Sequence, residues 1–296
     1  MRCLARALLV ALALAAPTSG LEAACDCDWL CVARDGEDDT LGLQVRNRSS
    51  VPLTFTLRFN VRDFAVEGPA ELTETLAAGE RLELPSLRRR GARSVTASPF
   101  RCDWTIGNKD AAHDDEHVYL LPYAAGRSFR VLQGFGSRFS HTGTEQFTVD
   151  FKMAEGTPVH AARGGVVARI EESHSRGCWN GGCGRYANFV VILHDDQTTG
   201  EYYHLQRDGV LVEPGDRVEA GQPIALSGNT GNSALPHLHF GVYRAIEWGR
   251  EQSVPFRFLS ADGVIDNPRR GGLYLAVEPG IPERRASLGK PAASPY

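Results

Sequence analysis

The stretch Ser227-Gly228-Asn229-Thr230-Gly231-Asn232-Ser233, followed by Pro236-His237-Leu238-His239-Phe240, is a glycine-rich turn that runs into an alternating segment. In a β-strand every second side chain faces the same way, so His237 and His239 would project together from one face while Leu238 enters the opposite layer. Two imidazoles side by side fit either an ordinary half-buried polar face or a metal site. The residues upstream have to decide between them.

Working outward, Gly165-Val166-Val167-Ala168-Arg169-Ile170, Asn188-Phe189-Val190-Val191-Ile192-Leu193 and Glu201-Tyr202-Tyr203-His204-Leu205 have strand composition. Turns such as Glu213-Pro214-Gly215-Asp216 and Ala220-Gly221-Gln222-Pro223 separate runs of this kind, and together they predict an all-β unit over residues 118–250. Further upstream, Leu41-Gly42-Leu43-Gln44-Val45-Arg46-Asn47, Leu53 to Val61 and Arg81-Leu82-Glu83-Leu84 alternate in the same manner. They predict a small β-sandwich within residues 21–110, an accessory unit with no chemistry evident in it. The fold class is all-β throughout. The polar bridge Gly107 to His117 places His113 and His117 four apart, where a helix would align them, but its acidic surroundings read as a solvated linker. Residues 251–278 read as a C-terminal extension, and residues 279–296, rich in Pro, Ala, Ser and Arg, as a disordered tail.

The first twenty residues carry Arg2 and Arg6, then an apolar run from Leu8 to Ala16, then Pro17-Thr18-Ser19-Gly20, which is the layout of a secretory signal. The apolar run is shorter than the ~20 residues a permanent span needs, so stable membrane insertion is not expected. Glu22 stands three before Cys25, where a lipoprotein signal would need an aliphatic residue. The net charge of -4 arises from mixed signs with no long basic stripe, which sets nucleic acid aside as a partner. The expected location is outside the cytoplasm, periplasmic or extracellular. Of seven cysteines, Cys3 leaves with the signal, and an even remainder in an exported protein reads as disulfides. Cys178 and Cys183 bracket a turn-rich loop that can close on itself. Cys25, Cys27, Cys31 and Cys102 allow three pairings, or a four-thiolate zinc site as the less favoured arrangement.

A catalytic zinc takes three ligands from His, Asp or Glu and keeps a fourth position open. Candidates beside His237 and His239 are His141 in Phe139-Ser140-His141-Thr142-Gly143, Asp150 in Val149-Asp150-Phe151, and His204 in Tyr203-His204-Leu205. His160, His174 and His194 sit in strand, hairpin or loop contexts that need no ligand role.

The ordered segments Ser140 to Gly143, Val149 to Phe151, Gly156-Thr157-Pro158-Val159, Gly164 to Val167, Tyr203 to Leu205, Val210 to Gly221 and Ser227 to Phe240 resemble the lysostaphin-type, LytM-like zinc metallopeptidases of bacterial cell walls. The resemblance covers about residues 120 to 245 and implies a LytM-like antiparallel β catalytic domain. Carried over by position, it implies that His141, Asp150 and His239 hold one zinc ion per chain, with His204 and His237 as unligated catalytic histidines that move protons or steady the oxyanion. Which of the two acts as base stays open. One departure stands out: the commoner pattern has its first histidine four before the aspartate, a place taken here by Gln146, whereas His141 stands nine before (150 − 141). Residues 144–148 then form a longer loop that returns His141 to the metal, or the site has lost a ligand. The first is favoured, because loops tolerate insertion cheaply.

The resemblance implies an exported endopeptidase that cuts peptide cross-links of peptidoglycan, with stem peptides as substrate and a protein partner possible through the N-terminal unit. The alternatives are an inert relative that binds peptidoglycan or regulates another hydrolase, and the same chemistry aimed at a protein. Retention of all five candidate residues argues against the inert reading. The 173–185 loop, with Trp179, would border the groove and either select substrate or simply stabilise a hairpin.

Overall fold

A computed structural model of the chain describes residues 24–27, 29–35, 40–91, 99–179 and 182–280. The segment read as signal, 1–20, lies outside the described residues, as does all of the tail read over 279–296 except Pro279 and Gly280.

Alternation dominates the architecture. The main sheet has nine strands and runs in the order Arg217–Val218, Gly165–Glu171, Phe189–Leu193, Thr199–Tyr203, Leu238–Ile246, Thr148–Phe151, Ser128–Gln133, Leu273–Leu275. Arg250–Ser253 adds to it as the hairpin partner of Leu238–Ile246. Its pairings are antiparallel. Leu238–Ile246 sits near the middle, and its period-two pattern sorts residues cleanly. Leu238, Phe240 and Val242 enter the core with Val149, Phe151, Phe256 and Phe258, whereas His239, Gly241 and Tyr243 face the other way. Burying one such Phe contributes about 1.5–3 kcal/mol, so the hydrophobic face fixes the register, and the register in turn fixes which polar residues meet.

The N-terminal part is the expected sandwich. A five-stranded sheet contains Leu30–Asp35, Thr40–Asn47 and Arg81–Arg89, and a three-stranded sheet has the order Glu71–Leu76, Leu53–Phe59, Phe100–Ile106. Leu43, Val45, Phe55, Leu57 and Leu87 fill the space between them, and Ala168, Val191 and Leu193 of the main sheet belong to the same cluster. The accessory unit is therefore packed against the main sheet rather than strung beside it. The bridge between them is also ordered: His113 and His117 both rest on Tyr119, with ring centroids 6.1 and 4.8 Å away. The solvated-linker reading holds for Asp114, Asp115 and Glu116, which are exposed, but not for His113, whose side chain is only 5% exposed and is held between Asp115 at 2.9 Å and the Tyr119 hydroxyl at 3.2 Å. Beyond residue 250, Arg257–Ser260 pairs with Val118–Leu120 and Leu273–Leu275 with Ser128–Gln133, which binds the C-terminal extension into the fold.

Cys178 and Cys183 form the expected disulfide. Cys31 and Cys102 are each disulfide-bonded, which rules out the four-thiolate zinc site, since a cystine sulfur is not a thiolate ligand. The glycine-rich turn that precedes the histidines is used for close approach. Gly177–Cys178 pairs with Gly231–Asn232, and Gly231 adopts φ +79 with Ala187 so near that an added Cβ would lie 2.6 Å from its Cβ. The disulfide loop is thereby stitched to the edge of the groove.

Candidate metal centre

Strand register delivers the chemistry. Asp150 lies opposite His239, and His239 opposite Tyr203, on neighbouring antiparallel strands, so three polar side chains stand in a row across the face away from the core. His141 comes from the loop ahead of them and is buried. Its Nε2 is 3.2 Å from Asp150 Oδ1, and His239 Nδ1 is 2.9 Å from the same oxygen. One donor atom from each of His141, Asp150 and His239 lies within 4.8 Å of the others. The stretched interval closes because residues 142–149 fold through the 3-10 turn Gly143–Glu145 before the chain enters Thr148–Phe151.

His204 and His237 adjoin this cluster, with ring centroids 4.6 Å apart, and His204 is 5.9 Å from His239. His204 was expected inside a strand; it instead breaks one, at φ +65 between Thr199–Tyr203 and Leu205–Val210. Such a conformation costs of order 1–3 kcal/mol in a non-glycine residue. Its Nδ1 is 2.7 Å from the Thr230 carbonyl, and His237 Nδ1 is 2.8 Å from that of Leu235. Each Nδ1–H donates to a carbonyl, which leaves each Nε2 as the basic atom of a neutral ring. Burial, reinforced by His237 and His239, pushes the His204 pKa down to about 3. Burial also lowers that of His237, against the pull of Asp150.

The donor set fits a divalent cation of the zinc type. His141 Nδ1 is fixed on the Gly134 carbonyl at 3.1 Å, while its buried Nε2 stands 3.2 Å from Asp150 Oδ1 without the geometry of a hydrogen bond. Burial alone would raise the Asp150 pKa, yet the imidazoles of His141 and His239 hold it well below the usual carboxylate range. His239 is likewise penalised by burial, but Asp150 and Glu145 outweigh that and push it up to about 10. The pocket favours positive charge at this point, and two nitrogens with one carboxylate oxygen form the open tripod that such an ion prefers.

The sequence reading missed a belt of buried polar groups beside the tripod. Glu201 accepts from Thr199 Oγ1 and from the Tyr203 hydroxyl, both at 2.9 Å. Glu251, on the Arg250–Ser253 strand, accepts from Thr105 of the N-terminal sandwich at 3.4 Å. Burial raises the pKa of both Glu201 and Glu251, and the neighbouring Glu201 carboxyl raises that of Glu251 further. Alternation does place Thr199, Glu201 and Tyr203 on one face. A single strand does not say which face that is.

At the rim, Trp179 stacks on Phe139 with centroids 4.8 Å apart and 14° between planes. Both rings are largely exposed and line the same groove as His141, His204 and Leu235. His160, His174 and His194 lie outside the cluster. His160 Nδ1 is bonded to the Gly221 carbonyl and His194 Nδ1 to that of Gly164, while His174 packs edge-on against Tyr186.

The antiparallel sheet thus carries a His, Asp, His cluster that could hold a metal ion, with two further imidazoles beside it. Residues 144–254 match the model of Peptidase family M23. The match includes Asp150, His204, His237 and His239, and begins three residues after His141 (144 − 141). Over 122 residues the chain is 34% identical to peptidoglycan DD-endopeptidase ShyA of Vibrio cholerae, covering 40% of this chain and 26% of that protein. Over 126 residues it is 40% identical to glycyl-glycine endopeptidase ALE-1 of Staphylococcus capitis, covering 42% of this chain and 32% of that protein. It thus spans about a quarter to a third of these relatives. The structure of lysostaphin from Staphylococcus simulans aligns at 31% identity with a TM-score of 0.31, covering 42% of this chain and 47% of that one.

Proposed function

We propose that the chain is an exported, zinc-dependent endopeptidase that hydrolyses peptide cross-links of bacterial peptidoglycan, with one zinc ion per chain. The observation that supports this most is the convergence of His141, Asp150 and His239 on one small volume, with His204 and His237 lining the same groove. Relatives named as peptidoglycan and glycyl-glycine endopeptidases supply the substrate class. Export is read from the N-terminal signal; among the described residues no helix is long and apolar enough to cross a membrane.

In this reading His141, Asp150 and His239 hold the ion, which supplies Lewis acidity and lowers the pKa of water toward ~7. His204 and His237, neutral with Nε2 free, accept the proton shed by the attacking water and return it to the leaving amine. Held protonated in turn, either ring hydrogen-bonds the developing oxyanion. Trp179 and Phe139 form the wall along which the stem peptide lies.

Metal analysis and digestion of purified sacculi, for wild type and for His141→Ala, test the assignment. Wild type is expected to carry close to one zinc per chain and to release cross-linked peptides; the variant is expected to lose both. Full zinc retention and activity in His141→Ala would remove that residue from the tripod, and an inactive wild type would favour the inert reading.

A further inference from the structure

The loop that stretches the His141 to Asp150 interval carries a carboxylate to the far side of a metal-binding ring. His239 presents Nδ1 to Asp150 at 2.9 Å, on the side where the metal would sit, so with Nδ1 given to the metal the ring's proton would be on Nε2, which points away. That Nε2 lies 3.4 Å from the Tyr243 hydroxyl oxygen and 3.6 Å from Glu145 Oε2. The Tyr243 hydroxyl donates to the same Glu145 oxygen at 2.6 Å. We propose that Tyr243 and Glu145 act as a pair of positioning residues for His239: the ring N–H is taken by the Tyr243 oxygen, and the Tyr243 proton by Glu145. The inference rests on the metal-centre reading and deepens it.

Three features of the chain build this relay. Tyr243 follows His239 by two steps on the same face of Leu238–Ile246, with Gly241 between them, and an added Cβ at Gly241 would fall 2.6 Å from Tyr243 Cε2. Only a residue without a side chain lets the Tyr243 ring lie down over position 241. Glu145 closes the turn Gly143–Glu145 inside the stretched interval, and the turn is pinned by Thr148 Oγ1 donating to the Glu145 carbonyl at 2.8 Å. A second tie runs from Gln252 Nε2 to the Gly143 carbonyl at 3.3 Å. The extra residues between ligands are therefore an ordered support.

A partner on the distal nitrogen fixes the tautomer and orientation of a ligating histidine, and its loss weakens metal binding by about 10- to 100-fold. The test measures zinc dissociation constants of the full chain by competition with a chromogenic chelator, for wild type, Tyr243→Phe and Glu145→Gln, with metal-free melting temperatures alongside. Both variants are expected to bind zinc ~10- to 100-fold more weakly, while their metal-free melting stays within a few degrees of wild type. Should Tyr243→Phe fail to fold, Glu145→Gln decides alone, since that side chain is 40% exposed. Wild-type zinc affinity in the variants overturns the inference and leaves the metal centre standing. A loss of affinity matched by an equal loss of metal-free stability overturns it as well, since that marks a structural role. Absence of zinc binding by wild type overturns the metal-centre reading itself, and the relay with it.

Discussion

Asp150 is the residue on which the charge balance turns, because it is a buried carboxylate kept ionised by imidazoles that reach it from a loop and from a neighbouring strand. His194 shows the opposite solution to burial. Its ring is packed so closely that a Cβ on Gly200 would lie 2.7 Å from Nε2, and burial pushes its pKa down to about 4 although the Gly164 carbonyl and Asp196 favour the charged form. The folded value lies below the unfolded value of ~6.5, so the contribution of the neutral ring is fully present above pH ~6.5. It is lost as the pH falls from there through about 4. This group alone should make the unfolding free energy fall by on the order of 3 kcal/mol between pH 7 and pH 4. Urea titrations of His194→Gln should show a correspondingly shallower pH dependence. Parallel curves for the two proteins would place the acid sensitivity elsewhere.

Among the elements, the strand Leu238–Ile246 combines two duties because its alternation separates them. One face packs Phe240 against Tyr202, Phe256 and Phe258; the other presents His239 and Tyr243. Truncating Phe240 to Ala should cost about 3–5 kcal/mol, the range for a large buried aromatic. A chemical denaturation midpoint shows the loss directly, and a cost under ~1 kcal/mol would mean that the core collapses around the gap. Much of this was legible in the sequence: runs such as Phe189 to Leu193 and the alternation around His239 name strands and faces without help. The break at His204 was not legible, because positive φ in a histidine follows from what surrounds it and has no local signature. Nor was the relay to Glu145, since a turn between two ligands reads as mere length until its carbonyls and side chains find partners.

Across the whole molecule, the sandwich and the main sheet are joined by apolar packing and by an inserted hairpin tip. Trp248 donates its backbone N–H to Thr56 Oγ1 and its indole N–H to Glu71, both at 2.8 Å. Gly249, at φ +62, sits so close to the strand Phe100–Ile106 that an added Cβ would lie 2.7 Å from the Trp104 nitrogen. Gly249→Ala should therefore lower stability by about 1–3 kcal/mol and expose the 107–117 bridge to limited proteolysis. Digestion identical to wild type would show that this contact does not hold the two parts together. The sequence by itself determined the all-β class, the strand faces and the set of histidines and aspartate available for metal chemistry, because period-two hydrophobicity and residue type are local properties. Tertiary structure alone decided that His141 reaches Asp150 across its long interval, that Glu145 and Tyr243 stand behind His239, and that Thr105 of the sandwich touches Glu251. Those meetings depend on strand register and on backbone closure between residues far apart in the chain, and both are set only when the apolar faces pack.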